Sequence, residues 1–517
     1  MENPLSSIEF PELFIGIVAP VGVDISSTIQ TLSDFFASQN YQVIPVKVTD
    51  YFSNIKKSLN IELPLSIGPT DVRITDYINF GNYIRSIFND DAILAAYTIF
   101  RITRLRQKAF KRENKINYSK RVFLIHQFKR KEEVDLMRSV YGRGFFQISV
   151  YSKKLSRIEY LSRKLAHEQN SPDLDSFRSA ANNLVVRDQN ETNNSHGQRV
   201  GKIFHDADFI VNQDEVGKDA VKKQIERFCY LLFSANYISP TKMEYSMFAA
   251  KAAALRTLDL SRQVGAAIFR STGEILSMGS NEVPKASGGT YWCDEPPFDA
   301  REYTYGEDSN DRRKKELLRE LFEISNPGGD FDAYYNSKAI QDSQFMDALE
   351  YGRIVHAEMS AITDAARLGI SLKGALLYCT TFPCHMCAKH IVATGVSEVI
   401  FLEPYPKSLA SDLHSDSIQI EGANRGTFDE YDAVRFKHFH GVTPRRYREL
   451  FERTSRKRNG AFVEFINETA RPNVNFKAPF YADLELMVIK GGTRALSEIL
   501  APKSPTERSD FTHDGIA

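Results

Sequence analysis

A histidine, a glutamate and two cysteines are spaced for hydrolytic chemistry: His356-Ala357-Glu358, then Pro383-Cys384-His385-Met386-Cys387. One histidine and two thiolates supply the three protein ligands of a catalytic zinc, and the fourth position stays open to water. Zinc brings the pKa of such a water down to about 7. Glu358, two residues past the histidine, can take a proton from that water and pass it to a leaving nitrogen. A Cys-x-x-Cys on its own is ambiguous between structural zinc, a redox dithiol and coincidence. A closed structural site needs a fourth ligand, for which His385 and His390 are the nearby candidates, and it gives Glu358 no task. A redox pair leaves His356 and Glu358 unexplained. Cys229, Cys293 and Cys379 read as ordinary buried or partly buried thiols.

Helix starts must hold these residues. Met359, Ile362, Ala366 and Leu368 have helical spacing, so a helix is predicted from His356 to Leu368 with Gly369 as its stop. Ala375 to Thr380 reads as a buried strand, and Pro383 suits the start of a second helix running to about Thr394-Gly395. Cys384 and Cys387, three apart in its first turn, then face one side. A helix N-terminus also favours the thiolate that a metal requires. Glu398 to Leu402 is a further strand, so both ligand sets begin helices in a strand–helix–strand unit.

The order H-x-E then P-C-x-x-C is the signature of zinc-dependent nucleobase deaminases, and this part of the chain resembles the cytidine deaminase superfamily. Upstream, residues 261–269 (Ser-Arg-Gln-Val-Gly-Ala-Ala-Ile-Phe) are similar to the opening strand of deoxycytidylate deaminases. Ser271-Thr272-Gly273 is a turn and Glu274 to Met278 a second strand, which makes a hairpin. It ends in Gly279-Ser280-Asn281-Glu282-Val283-Pro284, similar to the family's G-x-N-x-x-P segment. The resemblance implies that Asn281 contacts deoxyribose and base; read locally, Asn281 is a turn residue. It implies likewise that Tyr405 packs on the base and Lys407 reaches phosphate, against the plainer readings of a rim aromatic and a solvated lysine. Arg445 or Arg446 is a further candidate for phosphate or a neighbouring subunit.

About 240 residues precede this domain, and a chain of 517 residues suggests two or three domains. The layout resembles the bacterial two-domain deoxycytidine-nucleotide deaminases associated with phage defence, which join a P-loop-kinase-like domain to a zinc deaminase. Residues 13–19 read as a buried strand, followed by a glycine turn at Gly22 and a helix, the parts of a phosphate-binding loop. Yet Val23 stands where the Walker lysine belongs and Asp24 replaces the Mg-binding hydroxyl. Kinase chemistry is therefore not expected. Strands at 121–126, 145–151 and 207–212, alternating with helical patterns, predict a mainly parallel, doubly wound sheet.

The expected architecture is α/β. Residues 1–238 form a degenerate P-loop nucleotide-kinase-like domain that senses a ligand, positions the deaminase or is purely structural. Residues 239–500 form a three-layer α-β-α, cytidine-deaminase-like domain with an insertion at 282–355, and residues 501–517 form a flexible tail. The polar run 190–197 reads as a mobile loop. Alanine-rich helix is expected from about Tyr245 to Asp259, and charged helix from Asp311 to Phe322.

Lys plus Arg and Asp plus Glu are equal at 66 each, whereas a protein gripping a phosphate backbone usually carries a basic surplus. One basic stretch, Arg101 to Arg121, reads as an RNA or triphosphate contact or, preferably, as a solvated helix face. No apolar run is long enough to span a membrane. The acids Glu2, Glu9 and Glu12 speak against a signal peptide, and few cysteines fit a cytoplasmic setting.

Taken with the resemblance, these residues imply hydrolytic deamination of dCTP, dCMP or both, with one zinc per chain on His356, Cys384 and Cys387 and Glu358 as acid/base. The resemblance further implies dCTP depletion in antiviral defence, a homo-oligomer, a nucleotide effector, and an inhibitory RNA or protein partner. The rivals are a deaminase of single-stranded nucleic acid and a non-catalytic nucleotide sensor.

Overall fold

A computed structural model describes residues 8–113, 118–295, 298–453, 456–466, 470–474, 476 and 478–500. The tail expected at 501–517 lies outside the described residues, as do the side chains at 110–117 of the basic stretch. The chain divides into two units, Met1–Ile238 with Arg448–Ala517, and Ser239–Tyr447.

In the first unit, β1 (Leu13–Val18), β2 (Gln42–Lys47), β3 (Arg121–His126), β4 (Phe145–Tyr151) and β5 (Phe209–Asn212) pair in the order β2-β3-β1-β4-β5. Every neighbouring pair is parallel. All six residues of β1 are buried, as are all but the last of β4, which is the near-continuous apolar character of strands covered on both faces. β2 lies at the edge and carries Pro45, which an edge tolerates because no outer neighbour needs its N–H. Helices fill the crossovers, among them Ser26–Ser38, Thr70–Phe88, Lys131–Tyr141 and Lys154–Glu168.

Three expectations are corrected here. The helix Tyr481–Leu500, assigned from sequence to the second domain, belongs to the first unit. Its Glu485 and Tyr481 reach into a buried cluster: Arg106 donates to Glu12 Oε2 at 2.7 Å and to Glu485 Oε2 at 2.7 Å, and the hydroxyls of Tyr481 and Tyr141 donate to Glu12 and Glu485. For the same reason the basic stretch is not all a solvated face, since Arg106 is only 4% exposed. The run 190–197 is also tied down. Arg130 donates to the carbonyls of Ser195 and Gly197, and Glu191 accepts from Asn82 and from the Gln198 N–H.

In the second unit, β6 (Gly265–Phe269), β7 (Ile275–Ser280), β8 (Leu376–Thr381), β9 (Glu398–Glu403), β10 (Ile418–Ile420) and β11 (Val434–His438) form one sheet in the order β10-β11-β9-β8-β6-β7. β6 runs antiparallel to β7 and β8, and the remaining pairs are parallel. Helices cover both faces, and two glycines mark how close they come. A Cβ at Gly265 would stand 2.0 Å from the Ala250 carbonyl, on the helix Lys242–Ala254. A Cβ at Gly279 would stand 2.2 Å from the Ala357 carbonyl, on the helix Ala357–Arg367. Gly265 pairs with Ser280, and the adjacent Ala266 pairs with Gly279. Side chains alternate between faces, so the two helices lie on opposite sides of the hairpin. That is a three-layer α-β-α arrangement.

The insertion between Glu282 and Val355 is closed at its ends by paired backbone hydrogen bonds of 3.1 and 3.2 Å between these two residues. Inside it the helix Ser309–Ser325, capped by Asp308, buries Leu318 and Phe322 with Phe331 in a small core of its own.

Candidate active site

His356 is the N-cap of the helix Ala357–Arg367, and Cys384 is the N-cap of the helix His385–Ala393. The second helix therefore starts one residue beyond Cys384, with Cys387 inside its first turn. Helix starts carry partial positive charge from unpaired N–H groups, which favours thiolate and carboxylate there. Glu358, in the first turn of its helix, is 4% exposed.

The donor atoms converge. Nδ1 of His356 lies 3.2 Å from Sγ of Cys384 and 3.4 Å from Sγ of Cys387, with all three ligand atoms within 4.8 Å of one another. Zinc bonds of about 2.0–2.3 Å in tetrahedral array hold nitrogen and sulfur ligands about 3.5–3.8 Å apart. The set fits zinc after widening by a few tenths of an ångström. Among the described residues no fourth histidine, cysteine or carboxylate joins this group. His385 instead approaches Glu350 at 3.5 Å, so the closed structural site that His385 would complete is not built.

Negative charge in the cluster gathers on Cys384, while the hydrogen bond with Cys384 and burial push the Cys387 thiol up. The hydrogen bond from Cys387 holds the Cys384 thiol down at about 4, helped by His356. Burial works against charge on His356, but the Cys384 thiolate outweighs it and raises the imidazole to about 9. Burial pushes the Glu358 carboxyl up, and the Cys384 charge adds to this. The Glu358 carboxylate lies 3.5 Å from Sγ of Cys387. Cys379, expected to be an ordinary thiol, is buried on β8 and hydrogen-bonds to Glu358.

Above this floor lies a cavity of about 440 Å³ that His356, Glu358 and Cys384 line together with Asn281, Tyr405 and Lys407. All six come from the sequence-level candidates. Asn281, however, is heavily engaged within the protein: its amide donates to Asp259 Oδ2 at 2.6 Å and the Arg262 carbonyl at 2.8 Å, while its oxygen accepts the Val264 N–H at 2.8 Å. It pins the segment 259–264 against the pocket. Lys407 stands at the rim, 61% exposed, and pairs with Asp347 of the insertion at 2.5 Å. Such a solvated pair is worth only about 0–1 kcal/mol. Arg445 and Arg446 do not line the cavity.

Local patterns did not mark several wall residues. The Arg262 guanidinium lies 5.0 Å from the Tyr405 ring centre and makes no ion pair among the described residues. Burial raises Asp259, which also lines the cavity. The insertion supplies Asn310, Lys314 and Arg353, anchored by Asn310 to the Ala348 carbonyl and Lys314 to the Met346 carbonyl. Only the family motif R-Q-V-G-A carries any trace of Arg262 in the sequence, and the insertion residues leave none.

The family model described as "Cytidine and deoxycytidylate deaminase zinc-binding region" matches residues 240–403. A probable deoxycytidylate deaminase of Drosophila melanogaster is 30% identical over 184 residues, 34% of this chain and 69% of that protein. The deoxycytidylate deaminase of Pongo abelii is 28% identical over 196 residues, 38% of this chain and 78% of that protein. A solved dCMP deaminase of the cyanophage S-TIM5, in apo form, aligns with 39% of this chain and 99% of its own at 18% identity, with a TM-score of 0.21 that lends no further weight. No helix among the described residues is long and apolar enough to cross a membrane.

Proposed function

The chain belongs to the cytidine and deoxycytidylate deaminase family, and from that premise we propose that it hydrolyses a free deoxycytidine nucleotide, dCMP or dCTP, to the deoxyuridine nucleotide and ammonia. The observation that carries this reading is the convergence of His356, Cys384 and Cys387 beside the buried Glu358 at the floor of one cavity. Bound to those three ligands, zinc supplies a water acidic enough to lose a proton near neutral pH. Glu358 accepts that proton and delivers it to N3 of the cytosine as oxygen adds to C4, then takes the remaining proton from the C4 hydroxyl and passes it to the amine as the C4–N4 bond breaks and C4=O forms. One water is consumed and one ammonia released. Asn281 holds the segment 259–264 that carries Arg262 to the pocket, Tyr405 lies alongside the base, and Arg262 with Lys407 meets the phosphate.

A cavity of about 440 Å³ lies within the range of small-molecule sites, and zero formal net charge gives no general pull on a polynucleotide. The similarity of the two-part layout to phage-defence enzymes supports dCTP depletion in antiviral defence as the setting. An oligomer, a nucleotide effector and an inhibitory RNA or protein partner belong to the same proposal.

The test is ammonia release from dCMP, dCTP and a cytosine-containing oligonucleotide, by the zinc-loaded chain and by Glu358→Gln. Turnover of dCMP or dCTP is expected, falling by about 10²–10⁴ in the variant with zinc content retained. Activity on the oligonucleotide alone overturns the substrate class. A variant as fast as the parent overturns the mechanism.

A further inference from the structure

The basic helix Ile93–Glu113 of the first unit does more than present cations to solvent. Arg106 is spent on Glu12 and Glu485, whereas Arg104 is exposed and makes no ion pair among the described residues. The Arg104 guanidinium lies 5.7 Å from the Phe100 ring centre, and both residues line a cavity of about 340 Å³. Four helices wall it: Phe52–Leu59, Thr70–Phe88, Ile93–Glu113 and Tyr481–Leu500. The glycine turn at Gly22 takes no part in it, and it shares no residue with the zinc pocket.

Phe88, Tyr97, Phe100, Val488, Ile489 and Leu496 line this cavity, each of them half-buried and not closed into the core. Arg104 is the one charged residue of the lining, and none of the lining residues is acidic. Ser58 and Tyr97 add hydroxyls that make no hydrogen bond among the described residues. An apolar cavity with a few placed polar groups is the usual form of a small-molecule site, and this volume lies near the lower end of the usual range of about 300–1,000 Å³. A second observation points the same way. Gly492 lines the cavity from the middle of the helix Tyr481–Leu500, where glycine costs about 1 kcal/mol against alanine. Packing does not demand it, because a Cβ there would meet no atom within 4 Å. The glycine keeps open a space that the protein leaves unfilled.

We propose that this cavity binds a free, single-chain anionic amphiphile of the medium-chain fatty-acid class, with its chain among the four helices and its carboxylate on Arg104. Charge selects the head group: with one cation and no acid in the lining, an anion is attracted and a cation repelled. Size selects the tail, since a cavity this small suits one chain and not the paired chains of a bilayer lipid. Burying that chain against half-buried apolar side chains supplies the affinity, and Gly492 supplies the room.

The test is isothermal titration of the zinc-loaded chain with dodecanoate and with dodecyltrimethylammonium, each below its micellar concentration, beside flotation with phosphatidylglycerol vesicles. One dodecanoate per chain is expected, bound at least about tenfold more tightly than the cation, and no chain should float with the vesicles. Arg104→Glu replaces attraction by repulsion and should weaken dodecanoate about tenfold. Gly492→Leu fills the cavity while raising helix propensity, so it should weaken dodecanoate by at least about tenfold without lowering the thermal midpoint. Circular dichroism checks folding; if Gly492→Leu does not fold, Arg104→Glu, whose side chain is exposed, still decides. Absence of bound dodecanoate, equal affinity for the cation, indifference to either folded variant, or binding to vesicles alone overturns the proposal. The titration reads no turnover, so failure of the deamination reading would leave it unaffected.

Discussion

Gly279→Ala tests whether the hairpin sets the catalytic geometry. The added Cβ would lie 2.2 Å from the Ala357 carbonyl and 2.4 Å from the Ala361 N–H, both backbone atoms of the helix that starts at His356 and carries Glu358. Real Cβ contacts do not fall below 3.0 Å, so the helix must retreat by at least 0.8 Å. A misplacement of about 1 Å can cost about a hundredfold in rate, near 2.7 kcal/mol of transition-state stabilisation. Gly265→Ala is the matched control. Its Cβ would lie 2.0 Å from the Ala250 carbonyl, but on the opposite face and against a helix that holds no zinc ligand. Overpacking should destabilise both variants by about 1–3 kcal/mol. Turnover per folded, zinc-loaded chain should collapse only in Gly279→Ala. The assay pairs ammonia release with zinc content and urea unfolding. Equal loss of turnover in the two variants, or near-parental turnover in Gly279→Ala, would refute the reasoning.

Two further outcomes concern the first unit. Arg106→Met leaves the buried Glu485 without its ion pair and Glu12 with only Arg121, at 3.8 Å, and should cost about 3–5 kcal/mol at neutral pH. Burial already pushes the Glu12 carboxyl up, so Glu12 takes a proton in the folded chain; its part of the penalty should shrink as pH falls toward about 4.3, where the unfolded chain is protonated too. Urea midpoints of parent and variant at pH 7.5 and 5 check this, and an unchanged gap would contradict it. His126 is lowered to about 4, by burial first and Lys47 second, from an ordinary 6.5. The folded state therefore binds its proton less readily than the unfolded chain. Stability is lost as pH falls from 6.5 to 4, by at most about 3 kcal/mol. His126→Gln should flatten that part of the unfolding profile.

The zinc ligands and Glu358 are legible because their chemistry is written within short spacings, and the helices and strands around them follow from local apolar periodicity. β1, β3 and β4 are legible for a related reason: buried parallel strands are continuous apolar runs. β2 is not, because Pro45 and polar neighbours hide an edge strand. The largest gaps involve partners far apart in the chain. Asp188 meets Val21 across 167 residues, and Arg106 meets Glu485 across 379, so no window shows either pair. Asn281 stands out as a motif residue, yet its hydrogen bonds to Asp259, Arg262 and Val264 emerge only once the hairpin is folded.

The backbone bonds between Glu282 and Val355 bring the two ends of a 72-residue excursion together one residue from Asn281 on one side and His356 on the other. With its own small core, the excursion behaves as an interchangeable cassette hung from one clasp. Closing a longer loop costs only about 0.6 kcal/mol per doubling of length. Lineages could therefore exchange or resize residues 283–354, and with them the far wall of the pocket, while the register of the metal ligands stayed untouched. Grafting a short turn across the clasp would retain the metal centre and rewrite what the pocket admits.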